Sequence, residues 1–247
     1  MTCFYKNAVN IFVHASTKPS CGTFATAPSF ITVIDDEIVN RGSKLFWEAT
    51  NNFGELYSVY LGVREALNYV DSDRFLNVYS DDFLVTETMN SWVFNWFKKS
   101  QIHRMRFNAH YEFRNSDGDA VKYQELMMAI IRDICQHNAH ISLWRLKGST
   151  HSSVLEEMKK FKEVFLKNVY SSPEDLDMPM EIFMEMADYN QVVDKYSREK
   201  LYDFINNTSI EEKKQNLAPK VFPMKFYPDR EIMMLYRFLI KGKSGSI

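Results

Sequence analysis

The first fifty residues carry hydrophobic side chains in short runs and alternations, a pattern typical of β-strands. Residues 9–13 form an apolar run, and a turn is predicted at 18–22. Two further strand-like segments, 24–34 and 37–48, are separated by an Asp-Asp pair that favours a turn. The three segments predict an antiparallel meander.

The hydrophobic period changes near residue 53. Apolar side chains then recur at helical spacing and predict an amphipathic helix that packs on a sheet; they are Leu56, Val59, Tyr60, Val63, Leu67 and Val70. A strand is predicted at 75–79 and a second helix at 83–97, and this strand–helix alternation favours a parallel crossover. The remaining predicted elements are helices at 123–136, 154–169 and 180–206, a strand at 140–146, and an apolar stretch at 232–240.

Composition permits one large domain, or one domain with an appendage, since 45% of the 247 residues are hydrophobic and 15% are aromatic. Lys+Arg 30 against Asp+Glu 32 gives a net charge of −2, so any contact with nucleic acid requires a local basic surface. The three cysteines show no metal-ligand spacing and no even disulfide framework. No apolar run approaches the roughly 20 residues that cross a bilayer. We therefore expect an intracellular, cytoplasmic protein without a membrane partner.

Cations and aromatic side chains alternate between residues 96 and 114. Trp96, Lys98 and Lys99 begin this segment, and such side chains suit contacts with phosphate and sugar. The alternative is a solvated, partly aromatic connection, and the sequence favours neither.

Two acidic residues lie where their side chains can meet. Glu55 is near the start of the amphipathic helix, and Asp81 follows the buried strand. Asp82 is adjacent, but neighbouring side chains of an extended chain point to opposite faces, so only one enters a shared site. Asp81 is chosen because it directly follows the strand. A metal-dependent nuclease is the leading hypothesis.

The order of these elements and several local sequences resemble the type 1 ribonuclease H family over roughly residues 7–205. The segments that carry the resemblance are Ile-Phe-Val-His-Ala-Ser at 11–16, Thr-Asn-Asn-Phe-Gly-Glu-Leu at 50–56, Val-Tyr-Ser-Asp at 78–81, Trp-Val-Phe-Asn-Trp-Phe-Lys-Lys at 92–99, Leu-Lys-Gly at 146–148 and the helix at 190–198. The resemblance implies an α/β fold, a mixed five-stranded sheet flanked by helices. It places a ribonuclease H-like domain at 1–206, with a helical insertion at about 149–188, and a C-terminal extension at 207–247.

The resemblance also implies a function. The expected reaction is hydrolysis of the RNA strand of RNA/DNA hybrids by two divalent ions, Mg²⁺ or Mn²⁺, about 4 Å apart. The expected metal ligands are Glu55, Asp81 and Asp194, with His14 as an atypical fourth. Products would carry a 3′-hydroxyl and a 5′-phosphate.

His14 stands where the family has its first, bridging Asp. A neutral imidazole offers one acceptor nitrogen and removes one negative charge, so two-metal binding should weaken and preference should move from Mg²⁺ toward Mn²⁺, Co²⁺ or Zn²⁺. The alternative is a packed histidine without a chemical role. A second hypothesis is therefore a catalytically impaired protein that binds nucleic acid or acts as a scaffold. A third is another nuclease of the same superfold, since a fold alone does not determine substrate.

Other residues receive supporting roles. His151 lies in the loop where the family often carries a histidine that assists proton transfer, although exposed loop histidines are commonly inert. Asn51 and Asn52 are expected to contact base edges and 2′-hydroxyls, or to cap the helix. The apolar side chains of 232–240 either pack back on the domain or bind a protein partner.

Overall fold

A computed structural model describes residues 8–70, 75–107, 113–146, 180–219 and 230–241, with backbone only at 101–107, 180–183, 230–231 and 241. It contains a mixed six-stranded sheet flanked by helices. The predicted fold class is confirmed, with one short strand more than expected. Within the described part of the chain, no helix combines the length and apolar character needed to cross a bilayer.

The strands follow the predicted meander and crossover. Their bounds are β1 Val9–Ser20, β2 Thr23–Ile34, β3 Glu37–Ser43, β4 Phe46–Trp47, β5 Leu76–Ser80 and β6 Ile141–Arg145. They lie in the sheet in the order β3-β2-β1-β5-β6, with β4 paired to β2. β2 pairs antiparallel with both β1 and β3, whereas β5 is parallel to both β1 and β6. The single predicted segment 37–48 divides into β3 and β4.

β1 is longer than its apolar run predicted. Its pairing with β2 continues to Ser20 opposite Thr23, so the turn predicted at 18–22 begins three residues later and needs only Cys21 and Gly22. Both have positive φ, 47° and 81°. The polar residues near the end of β1 stay extended because the cross-strand hydrogen bonds satisfy their backbone groups.

The helical elements are α1 Asn51–Ala66, α2 Phe83–Glu87, a π-helical turn Thr88–Trp92, α3 Val93–Phe107, α4 Gln124–Gln136, α5 Met180–Asn207, α6 Ile210–Gln215 and α7 Arg230–Lys241. The predicted end of a helix at 97 is wrong, since α3 continues to Phe107. Lys98 and Lys99 are exposed while Phe97 and Ser100 are buried. The basic residues therefore form the solvent side of a helix at this point. The predicted helix at 154–169 lies outside the described residues.

α1 lies on one face of the sheet at very short distance because two glycines face the strands. A Cβ on Gly62 would lie 2.7 Å from Ile11 Cγ2 and 3.0 Å from Val13 Cγ1. A Cβ on Gly54 would collide with Thr26 and lie 3.0 Å from the Ala15 Cβ. This close approach holds α1 against β1 from its first turn to its last turns.

α5 contacts β1 and β2 and adds a polar contact to the sheet. The Ser197 hydroxyl donates to the Ala27 carbonyl at 2.6 Å and accepts the Ser16 N–H at 2.8 Å. Phe12 of β1 also contacts Tyr189, with ring centroids 5.4 Å apart. These contacts fix the middle of α5 against β1, where one side of the helix reaches His14.

The C-terminal helix α7 belongs to the same hydrophobic core. Met233, Tyr236 and Leu239 are buried in it, and the Tyr236 hydroxyl donates to the Met89 carbonyl in the π-helical turn at 2.9 Å. For residues 230–241 this favours the interpretation that the extension packs back on the domain. Met234 and Phe238 remain exposed.

Gly62→Ala is predicted to destabilise the protein by about 1–3 kcal/mol, because the added methyl group meets two β-branched side chains with restricted rotamers. This loss should exceed the gain of about 1 kcal/mol that alanine brings to a helix. Urea unfolding measures it, with Asn52→Ala, exposed on the same helix, as the control. Equal or higher stability of Gly62→Ala would contradict the close approach of α1.

Tyr236→Ala is predicted to lower the free energy of unfolding by about 3–5 kcal/mol, because it removes a fully buried aromatic side chain. Phe238→Ala changes a ring that is 52% exposed two residues away. It should cost less than about 1 kcal/mol. Thermal and urea unfolding of both variants test whether α7 is part of the core. If α7 were a separate appendage, the two variants would lower the free energy of unfolding by the same small amount.

Candidate active site

Four titratable side chains from four elements meet at one end of the parallel strands. His14 lies in β1, Glu55 in α1, Asp81 directly after β5, and Asp194 in α5. His14 Nδ1 is 3.3 Å from Asp81 Oδ1 and 4.0 Å from Glu55 Oε1. His14 Nε2 is 3.3 Å from Asp194 Oδ1. The imidazole is therefore at the centre of the cluster.

Strand register brings His14 and Asp81 together. The parallel pairing of β1 with β5 ends at Val13 opposite Ser80, and the next residue on each strand is the site residue. Asp81 turns toward the imidazole, while the carboxylate of Asp82 accepts the Val85 N–H at 2.8 Å and caps α2. The geometry thus assigns the two neighbouring acids to different tasks, in the way the alternation of side chains predicts.

Glu55 is the buried member of the cluster. It is 4% exposed, and its Oε2 accepts the backbone N–H of Ala15 at 3.1 Å. The side chain of Thr50 caps α1 by accepting the Phe53 N–H at 3.2 Å. This capping contact starts the helix five residues before Glu55, so that its second turn faces β1. The expectation that Asn51 or Asn52 could cap α1 is wrong, because Thr50 does so.

Asp194 completes the cluster from the other face of the sheet and is held by Arg198. Arg198 Nη2 donates to Asp194 Oδ2 at 2.7 Å, one helical turn along α5. Arg198 was not among the sequence-based candidates. Its spacing of four residues from Asp194 is the signal that could have identified it, since residues i and i+4 of a helix are neighbours.

The ionisation of His14 and Glu55 is strongly perturbed. Burial opposes protonation of His14, but the hydrogen bond to Asp81 and the charges of the surrounding carboxylates outweigh it and raise the pKa to about 9. Burial raises the pKa of Glu55 to about 8, against the opposing effect of the His14 charge. Without a metal ion, the cluster therefore retains a proton on each of these two groups at neutral pH.

One part of the cluster fits a divalent cation. His14, Glu55 and Asp81 each offer one donor atom, and these three atoms lie within 4.8 Å of one another. Ligands about 2.0–2.2 Å from one ion can be at most roughly 4.4 Å apart, so a small movement of the side chains would suffice. One nitrogen and two carboxylate oxygens suit Mn²⁺, Co²⁺ or Zn²⁺ and also permit Mg²⁺.

The other sequence-based candidates lie elsewhere. Asn51 and Asn52 are exposed in the first turn of the helix that carries Glu55. Lys98 and Lys99 are exposed on α3, where Trp96 contacts Trp92 with ring centroids 6.0 Å apart. α3 carries none of the four clustered residues, and the roles of these side chains remain predictions. His151 and residues 147–148 lie outside the described residues.

Comparisons with known proteins agree with this architecture. No family model matches the chain. Ribonuclease HI of Haemophilus influenzae is 30% identical over 122 residues, which are 48% of this chain and 67% of that protein. Ribonuclease H of Actinobacillus succinogenes is 29% identical over 122 residues, with the same coverage of both chains.

A solved structure shares the fold at low sequence identity. The solution structure of the PFV RNase H domain aligns with a TM-score of 0.50 and 12% identity, covering 78% of this chain and 94% of that domain. The structural match shows the fold, and the sequence match adds a relative that is 30% identical and is aligned over two thirds of its length. On these grounds the chain belongs to the ribonuclease H family.

Proposed function

We propose that this protein is a metal-dependent endonuclease that hydrolyses the RNA strand of RNA/DNA hybrids. Its relatives are named ribonuclease H, and the family resemblance implies this substrate. The observation that carries the proposal is the convergence of His14, Glu55, Asp81 and Asp194 from four separate elements. Three carboxylates held this close together, one of them buried, are costly to assemble unless a cation or proton compensates their charge.

His14, Glu55 and Asp81 would hold the metal, since their donor atoms form the group that fits one ion. A bound divalent ion would supply Lewis-acid activation of water and stabilise charge on the phosphate oxygens. Glu55 is fixed by the Ala15 N–H, so one of its oxygens has a constant position. Asp81 and Asp194 are each 33% exposed, which leaves the site open to a phosphodiester from solvent.

Substrate contacts are proposed for exposed side chains outside the four-residue cluster. Asn51 and Asn52 precede Glu55 by one turn of α1 and offer amide donors and acceptors to 2′-hydroxyls. Lys98 and Lys99 offer cations for the backbone of the other strand, with Trp96 beside them. His151 keeps its proposed role in proton transfer on sequence grounds alone.

A second candidate function is a nucleic-acid-binding protein or scaffold with impaired catalysis. The observation in its favour is that the His14 ring lies between three carboxylates, within 3.3 Å of Asp81 and Asp194 and 4.0 Å of Glu55, where they raise its pKa and favour its charged form. A protonated imidazole compensates the carboxylates in the way a cation would and competes with it. Metal-dependent turnover would then be weak even though the fold and the hybrid-binding surface persist.

Glu55→Gln and Asp81→Asn are each predicted to reduce hybrid cleavage by more than about 100-fold, beyond the 10–100-fold typical of residues that only support a metal site. Binding of an uncleavable hybrid should persist. Labelled hybrid is assayed in Mg²⁺ and in Mn²⁺, with Glu199→Gln, an exposed acid of α5, as the control. Wild-type cleavage rates in both site variants would contradict the proposal, as would a wild-type protein that neither binds nor cuts hybrid.

His14→Asp is predicted to increase cleavage in Mg²⁺, because it restores a second oxygen donor and a negative charge. His14→Asn, which has a similar size but no charge, is the matched control and should not increase cleavage. If the wild-type protein binds hybrid but cuts it with neither metal, and His14→Asp cuts, the second candidate function replaces the first. An equal loss of hybrid binding in His14→Asp and His14→Asn would contradict the hypothesis that position 14 acts through the metal ion.

Metal affinity is predicted to rise with pH, because ligands bind metals only after losing their protons. Below pH 8 both His14 and Glu55 carry a proton that the metal must displace. The logarithm of the association constant for the metal should therefore rise by about two for each unit of pH. Between pH 8 and 9 the gain should fall to about one, and above 9 it should level off. Calorimetry with Mn²⁺ in buffers of different ionisation enthalpy measures affinity and released protons; affinity independent of pH from 6 to 9 would contradict these protonation states.

A further inference from the structure

The two nitrogens of His14 divide the cluster into two parts. Nδ1 faces Asp81 Oδ1 at 3.3 Å and Glu55 Oε1 at 4.0 Å. Nε2 lies on the opposite side of the ring and faces Asp194 Oδ1 at 3.3 Å. A single flat ring therefore separates Asp194 from the other two acids.

Imidazole chemistry makes these two parts unequal. A neutral imidazole carries a lone pair on one nitrogen and a hydrogen on the other, and the hydrogen bond made by one nitrogen determines the role of its partner. Without an ion, Nδ1 makes the hydrogen bond to Asp81. If Nδ1 instead presents its lone pair to an ion, Nε2 carries the hydrogen on the side of the ring that faces Asp194 Oδ1. The ring cannot bridge two ions as a carboxylate can.

Both oxygens of Asp194 are already engaged. Oδ1 faces His14 Nε2, and Oδ2 accepts the Arg198 hydrogen bond at 2.7 Å. The group of donor atoms that fits an ion consists of His14, Glu55 and Asp81, and Asp194 is outside it although it is among the described residues. An ion on the Nε2 side would need Nε2 without its hydrogen and would bind a carboxylate whose other oxygen already accepts from Arg198.

We propose that the site holds one divalent ion on the Nδ1 side of His14, and that Asp194 is a positioning residue that orients the ring instead of a metal ligand. Arg198 in turn fixes Asp194. This inference rests on the proposed function, because it names the metal arrangement of that same site. It replaces the expectation of two ions with Asp194 as a ligand.

The arrangement agrees with general features of metal-bound histidines. Such histidines usually donate their other ring N–H to a carboxylate, which fixes the tautomer and the ring plane. His14 comes from a central strand and is 17% exposed, so its ring has little freedom to turn away. Asp194 and Arg198 lie on α5, which is itself fixed to β1 and β2 through Ser197.

The test is the number of Mn²⁺ ions bound by the full chain without nucleic acid, counted by native mass spectrometry and calorimetry. One ion is expected for the wild type. Asp194→Asn should still bind one ion, about 10–100-fold more weakly, because its amide oxygen can accept the ring N–H without the charge. Two ions in the wild type, one of them lost in Asp194→Asn, would overturn the inference, and so would the absence of Mn²⁺ binding.

A spectroscopic signature separates orientation from general damage. Mn²⁺ hyperfine spectroscopy of protein with ¹⁵N-labelled histidine should detect one directly bound nitrogen in the wild type and in Asp194→Asn. His14→Gln should lose the signal, and Glu199→Gln, an exposed acid five residues from Asp194, should match the wild type in both measurements. No coupled nitrogen in the wild type would overturn the inference.

Arg198→Gln provides a second variant in case Asp194→Asn does not fold. It keeps the carboxylate and removes its fixed donor, so one ion with weaker binding is expected. Tighter binding or a second ion would identify Asp194 as a ligand and overturn the inference. One bound ion without hybrid cleavage would contradict the proposed function alone, whereas hybrid cleavage with two ions would contradict this inference alone.

Discussion

The contact of the His14 ring with carboxylates from three other elements is the interaction on which the site depends. The ring comes from a central strand, and two helices and a strand end each direct a carboxylate to it. Three acids in a partly buried site repel one another, and a central imidazole reduces that repulsion by retaining a proton. A metal ion can bind only by displacing this proton, so metal binding and protonation are linked throughout the site.

The scaffold places these groups through very close backbone approach on both faces of β1. On one face Gly54 and Gly62 allow α1 to lie against the strands, and Glu55 accepts the Ala15 N–H. On the other face Ser197 joins α5 to β1 and β2, one turn from Asp194. The parallel register of β1 and β5 places His14 beside Asp81. Because each contact involves the backbone, the cluster depends on the fold more than on flexible side chains.

The sequence predicted the strands and most helices because their apolar positions follow periods of two and about 3.6 residues. It failed where polar residues continue an element. β1 extends to Ser20 through pairing with β2, and α3 extends through Lys98 and Lys99 because only one side of that helix is apolar. Local composition alone shows neither the partner of a strand nor the continuation of a helix through residues on its polar side.

The site was predictable in part for the same reason. The placement of acids at a strand end and near a helix start indicated that Glu55 and Asp81 could meet, and the family resemblance added Asp194 and His14. The direction of each ring nitrogen was not predictable, since it depends on the distance between α5 and β1 in three dimensions. Arg198 was missed because its importance comes from the position of Asp194.

Anomalous diffraction from crystals soaked in Mn²⁺ tests the central claim most directly. One anomalous peak is predicted, within bonding distance of His14 Nδ1 and of carboxylate oxygens from Glu55 and Asp81, with Nε2 still facing Asp194. Two peaks sharing Asp194, or a single peak with the imidazole turned away, would contradict a metal site organised around His14.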